Sequence, residues 1–148
     1  MKKSSSAFTM IELVFVIVVL GILSAIAIPK FSATRTDAQI SKGRADIASI
    51  RSAILSERQS RLITGDPSFI SKLHRSTTAY FDGNGSATLL MYAITPKDSD
   101  GHWHGVAAAG SNWTYKYKLE GADNTFTYNK STGTFTCDTG ARCSELTD

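Results

Sequence analysis

Twenty-one consecutive residues, Phe8 to Ile28, contain a single charged side chain, Glu12. From Leu13 to Ile28 there is none, and nearly every residue is aliphatic. As an α-helix rising about 1.5 Å per residue, this run spans about 30 Å, the hydrocarbon thickness of a bilayer. A segment of that kind leaves one simple organisation, a membrane-length helix followed by a soluble head. The rest of the 148 residues is polar, rich in Ser, Thr and Gly, and sufficient for one modest domain.

Lys2 and Lys3 ahead of an apolar run have the outline of a secretory signal, and Ala25-Ile26-Ala27 would serve as its A-x-A-like cleavage site. Glu12 speaks against that reading, because it interrupts the start of the run, where such a signal carries no charge. The run also continues into further helical sequence instead of a polar mature terminus. An uncleaved signal anchor is a second alternative. What separates these readings is Ala7-Phe8-Thr9-Met10-Ile11-Glu12-Leu13. This segment closely resembles the prepilin peptidase site of type IV pilins and type II secretion pseudopilins, and Pro29-Lys30-Phe31 matches a proline common after the apolar run.

The resemblance covers about the first thirty residues. It implies cleavage between Ala7 and Phe8 on the cytoplasmic side, N-methylation of Phe8, and Glu12 as the fifth mature residue. Ala7 stands where the family usually has Gly, a departure that bears on cleavage efficiency. The implied organisation is a leader at 1–7, a transmembrane and polymerisation helix at 8–29, and a periplasmic head at 30–148 that includes the second half of the long helix. The implied function is structural and not enzymatic. The chain would be a single-pass inner-membrane subunit polymerising into a pseudopilus for type II secretion, or alternatively a type IV pilin or DNA-uptake pseudopilin. Its partners would be further copies of itself, other pilin-like subunits, prepilin peptidase, the inner-membrane assembly machinery and membrane lipid. A monomeric membrane-anchored periplasmic binding module remains the alternative from a different class.

Glu12 has a physical meaning of its own. A carboxylate inside a bilayer costs several kcal/mol unless it finds a partner, and no basic side chain lies between Phe8 and Ile28. The α-amine of a neighbouring subunit's Phe8 would neutralise it and set the axial register. Alternatively, Glu12 sits at the headgroup boundary, and the two roles can follow one another. Gly21 and Pro29 are the weak points of the helix, and a kink or local break is expected near Ile26. The resemblance implies that the stretch between them unwinds on assembly, whereas a plain kinked transmembrane helix is equally open for the isolated subunit.

Beyond Pro29, residues 32–63 keep a helical period, with Ile40, Gly43, Ile47, Ile50 and Ile54 forming a narrow apolar stripe. Asp66 or Ser68 is placed to cap a shorter helix through Leu73. Thr88 to Thr95 is a strand or a buried helical turn, and Lys97 to Gly110 reads as a Gly-rich loop. Trp113, Tyr115, Tyr117 and Leu119 alternate with polar residues, and the alternation returns at 125–128 and 134–137, which predicts a three-stranded meander. The stripe can cover its apolar face. The expected class is α+β, a long N-terminal helix packed on a small C-terminal antiparallel sheet.

Net charge is +3 from 16 Lys and Arg against 13 Asp and Glu, and without Lys2 and Lys3 the balance is 14 against 13. Arg35, Lys42, Arg44, Arg51, Arg58 and Arg61 share one helix but alternate with acids, so a solvated face is expected and nucleic acid is not an expected partner. Cys137 and Cys143 can close a small disulfide loop in an oxidising compartment, the alternative being two free thiols. Asp98 and Asp100 followed by Gly101 have the spacing of the start of a calcium loop, and some pseudopilins hold calcium in a C-terminal loop. The completing Glu is missing. His102 and His104 lack a third ligand, and a solvated turn accounts for the composition. No other cofactor is expected. Asn84-Gly85-Ser86 is a glycosylation sequon within a Gly-rich turn. No phosphate loop, nucleophile elbow or carboxylate pair points to catalysis.

Overall fold

Helix α1 (Met10–Ile63) takes up the apolar run and the amphipathic stretch after it. The computed structural model describes residues 8–147, so the leader and Ala7 lie outside the described residues. Those described fall into two compact units, one up to Arg35 and one from Thr36 onward. The helix assignment runs through Gly21 and Pro29 without interruption. Proline removes one backbone donor, and a helix this long tolerates that loss.

The second unit is built on an antiparallel meander of four strands: β3 (His102–Ala109), β4 (Asn112–Leu119), β5 (Ala122–Asn129) and β6 (Thr134–Thr139), hydrogen-bonded in chain order. Glu120 and Gly121 form the two-residue turn between β4 and β5, both with positive φ (51° and 75°), as a hairpin of the twist-matching kind requires. A separate small hairpin pairs β1 (Gly83–Asn84) with β2 (Ala87–Thr88), and helix α2 (Cys143–Thr147) follows the sheet.

Three expectations are corrected here. The loop expected from Lys97 to Gly110 contains an entire strand, β3. Its pairing register shifts between His104 and Ala107, and that bulge, with Gly105 inside it, breaks the alternation that would have revealed the strand. No helix follows Asp66. Its carboxylate accepts the Ser68 N–H at 2.9 Å in a local turn, and the chain continues irregularly while burying Ile70 and Leu73. From Thr88 to Thr95 only Thr88 belongs to a strand. Ile94 makes an isolated bridge with Tyr80, and Met91 and Tyr92 face solvent.

The predicted stripe is the seam of this unit. Gly43, Ile47, Ile50 and Ile54 are buried, the three isoleucines in one cluster with Trp103, Tyr115, Tyr117, Phe126, Tyr128 and Phe135 from the sheet. Gly43 is needed for its lack of a side chain. A Cβ there would stand 3.0 Å from the Tyr117 ring and 2.8 Å from Leu146 Cδ2. Tyrosine hydroxyls close the remaining polar gaps, Tyr117 donating to Gln39 O and Tyr128 to Ile70 O, each at 2.7 Å. Burial pushes the Tyr128 phenol up to about 12 and that of Tyr117 higher still, so both stay neutral donors at any physiological pH.

Half-buried Asp46 is the exception to this apolar seam. Its Oδ2 accepts the Trp103 indole N–H at 3.0 Å, yet burial raises its carboxyl above the ordinary value, against the opposing pull of Trp103, Lys42 and His102. A folded-state pKa above the unfolded one means that the folded chain holds the extra proton. Stability from this group is therefore complete below the unfolded value of about 4 and is lost as pH rises through the folded one. We expect Asp46→Asn to raise the melting temperature at pH 7 and to lose that advantage near pH 3. Melting curves of both chains across that range measure it, and a variant less stable at pH 7 would contradict the assignment.

Candidate functional site

The apolar part of α1 exposes large side chains in every direction, among them Ile11, Phe15, Ile17, Leu20, Leu23 and Ile26. None is buried by the rest of the chain, and the helix is long and apolar enough to cross a membrane. The exposed aliphatic surface must meet lipid or other subunits.

At the head of this helix Thr9 and Glu12 form a reciprocal cap. The Thr9 hydroxyl accepts the Glu12 N–H at 3.3 Å, and Glu12 Oε2 accepts the Thr9 N–H and hydroxyl, each at 2.9 Å. Two of the donors that a helix N-terminus leaves orphaned are thereby satisfied. Both bonds to the carboxylate use Oε2, and the described bonds do not engage Oε1. Phe8 is 85 % exposed. Phe8, Ile11, Phe15 and Val16 surround Glu12 in an open recess of about 360 Å³, so the carboxylate has apolar neighbours. Thr9 is the site residue that sequence reasoning missed, although Thr-x-x-Glu ahead of an apolar run is the signal for it.

The site residues of the opposite end are also placed. Cys137 on β6 is bonded to Cys143 at the start of α2, with Cα atoms 5.6 Å apart. Leu146, on the helix so tethered, is buried against Gly43 and Tyr117. By loop entropy a bridge across six positions contributes about 2–3 kcal/mol. Replacing both cysteines by Ala should lower stability by that amount in denaturant titration, and a loss under 0.5 kcal/mol would show that α2 is held by packing alone.

Asp98 and Asp100 are engaged by the chain itself. Asp98 Oδ1 takes the Lys118 ammonium at 2.7 Å, which holds the Asp98 carboxyl below its ordinary range and Lys118 above its own. Asp100 Oδ1 accepts the Gly121 N–H at 2.7 Å. His104 Nε2 lies 2.8 Å from Asp123 Oδ1, and Lys116 holds the other oxygen at 3.0 Å. Among the described residues no three His, Cys, Asp or Glu side chains gather as a metal set. Asn84 lies on β1 with its amide donating to Ser71 Oγ at 2.7 Å.

The helix basic residues are fastened and not simply solvated. Lys42 donates to Gly101 O, Arg44 to Glu145 O and Arg51 to Phe135 O, while Arg61 pairs with Glu57 and Asp66. Arg58 stacks 4.0 Å over the Phe69 ring. They clasp the helix to the sheet and loops.

Residues 2–28 match the family model described as the prokaryotic N-terminal methylation motif. That is the prepilin-type signal. It implies processing by prepilin peptidase and assembly as a pilin-like subunit, and it agrees with membrane anchoring through the apolar helix. No curated protein and no solved structure matches the chain. The methylation motif and the α+β arrangement, a long helix followed by an antiparallel sheet, together support a pilin-like subunit.

Proposed function

We propose that this chain polymerises through its Phe8–Ile28 helix into a filament of the type IV pilus kind, drawn from the bacterial inner membrane with its head on the periplasmic side. The observation that carries the reading is a methylation motif heading a helix whose apolar side chains are exposed all round, with one carboxylate near its start. Thr9 holds that carboxylate by one oxygen, leaving Oε1 to accept the methylated Phe8 amine of the next subunit. Pairing inside the filament neutralises two charges that would otherwise be costly in an apolar bundle. The stretch from Gly21 to Pro29 unwinds as subunits are drawn in, and other pilin-like subunits and an inner-membrane assembly machine take part.

The Cys137–Cys143 bridge favours a pilus subunit over the type II secretion pseudopilus. The pairing of Asp98 with Lys118 also supports the pilus reading over a calcium-holding pseudopilus.

The mature protein is expected to begin at N-methyl-Phe8. Intact-mass analysis of the membrane-bound form tests this directly. A chain retaining Lys2 and Lys3, or one beginning at Ile28, would overturn the assembly reading.

A further inference from the structure

Where the last turns of α1 approach the β1–β2 hairpin, the second unit has an open cleft of about 400 Å³. Glu57, Ser60 and Arg61 line it from the helix, Thr64 from the turn just after it, and Ser86, Ala87 and Thr88 from the hairpin. The assembly proposed above uses none of these residues.

Its walls are set in advance. A hairpin with two residues per strand does not hold by itself, and this one is pinned from outside. The Arg75 N–H donates to Asp82 Oδ1 at 2.8 Å, its Nε to Gly85 O at 2.9 Å and its Nη2 to Ala87 O at 3.0 Å. Asn84 is tied to Ser71. On the helix side Glu57, its side chain 14 % exposed, takes Arg61 Nε on Oε1 at 3.0 Å, and Arg61 Nη1 reaches Asp66 at 3.2 Å. A site whose groups are already held loses little freedom when a ligand arrives.

The chemistry of the lining selects the ligand class. Within the lining Glu57 and Arg61 cancel each other, and Asp66, on Arg61 Nη1, stands outside it and is half-exposed, so the cleft itself offers no unpaired charge. The described bonds engage neither Glu57 Oε2 nor Arg61 Nη2, nor the hydroxyls of Ser60 and Ser86. One acceptor, one donor and two groups able to act as either therefore stand together on a largely polar wall. Adjacent hydroxyls on a neutral ligand, each able to donate and to accept, are the complement of that set. The volume lies within the range of small-molecule sites and accommodates one sugar ring.

We propose that this cleft binds a neutral sugar residue, with vicinal hydroxyls bridging Glu57 Oε2 and Arg61 Nη2 and a third reaching Ser86. The test is saturation-transfer NMR on the full chain in detergent, with glucose, galactose, mannose and N-acetylglucosamine as probes and glucose 6-phosphate and glucosamine as charged comparators. At least one neutral sugar should bind saturably. Its affinity should fall about tenfold or more in Glu57→Gln, which removes a charged acceptor, and in Ser86→Leu, which fills the cleft from an exposed turn. Both variants should keep the wild-type melting temperature. No saturable binding of any neutral sugar overturns the proposal, as does equal affinity in both variants or tighter binding of either charged comparator. The unassembled chain is used, so the outcome is independent of whether the helix polymerises.

Discussion

Glu12→Ala chains should insert into the membrane, fold and be processed, yet fail to enter filaments. Removing a carboxylate makes the helix more apolar, which favours insertion, and the residues flanking the cleavage position are untouched. In the filament the neighbouring Phe8 amine would be left buried without its partner, at about 3–5 kcal/mol for each added subunit. The structure adds a competing account, because the same substitution also removes the bonds to the Thr9 N–H and hydroxyl. Loss of a cap costs about 1 kcal/mol once per helix, too little to stop polymerisation. Thr9→Val separates the two, since it abolishes the hydroxyl side of the cap and leaves the carboxylate in place. Filament yield after shearing, set beside total membrane-bound protein, should be normal for Thr9→Val and near zero for Glu12→Ala. Normal filaments from Glu12→Ala alone would refute the pairing mechanism.

The largest effect on the head is expected from Trp103→Ala. Trp103 is completely buried, its ring within 5.3 Å of those of Phe81, Tyr117 and Phe126, and its indole is the hydrogen-bond donor to half-buried Asp46. The variant leaves a cavity at the centre of the aromatic cluster and a carboxylate without its donor. Truncations of this size cost about 3–5 kcal/mol, or roughly 10–20 °C in melting temperature for a unit of this length. Denaturant unfolding with an unchanged m-value is the measurement, and a loss below 1 kcal/mol would mean that the cluster repacks. Trp103→Phe, which keeps most of the volume, isolates the donor.

Periodicity made most of this head legible. The stripe from Gly43 to Ile54 was readable because a helix returns to the same face every three or four residues, and β4 because Trp113 to Leu119 alternates strictly. Strand β3 was hidden by physics of the opposite kind. Its pairing is carried by backbone bonds that any residue can make, His102 and His104 flank the one fully buried side chain, and the bulge at Gly105 shifts the phase. Residues 66–101 bury side chains on a backbone that is irregular apart from the two-residue strands β1 and β2, so no period existed to be read. At the site, Phe8 and Glu12 were singled out by their spacing, and the proposed assembly gives them their roles. The fate of Asp98 was not legible, because its partner Lys118 lies on another strand brought alongside by the fold. The helix basic residues were misjudged for the same reason, their acceptors being distant carbonyls.

The order of the sheet has a kinetic consequence. Strands β3 to β6 are joined in sequence by tight turns, so each pairing closes a short loop and the meander can zip up hairpin by hairpin at little entropic cost. Its aromatic face then has no cover until α1 arrives across the irregular residues 64–101, a far longer closure. That docking should be the slow step of folding. Weakening the Glu120-Gly121 turn should therefore slow folding by nearly its full effect on stability, while substitutions at Ile47 and Ile50 should report how much of the seam has formed at the barrier. Until the seam closes, the exposed row of Trp103, Tyr115, Phe126 and Phe135 is the surface through which a half-folded head would stick to its neighbours.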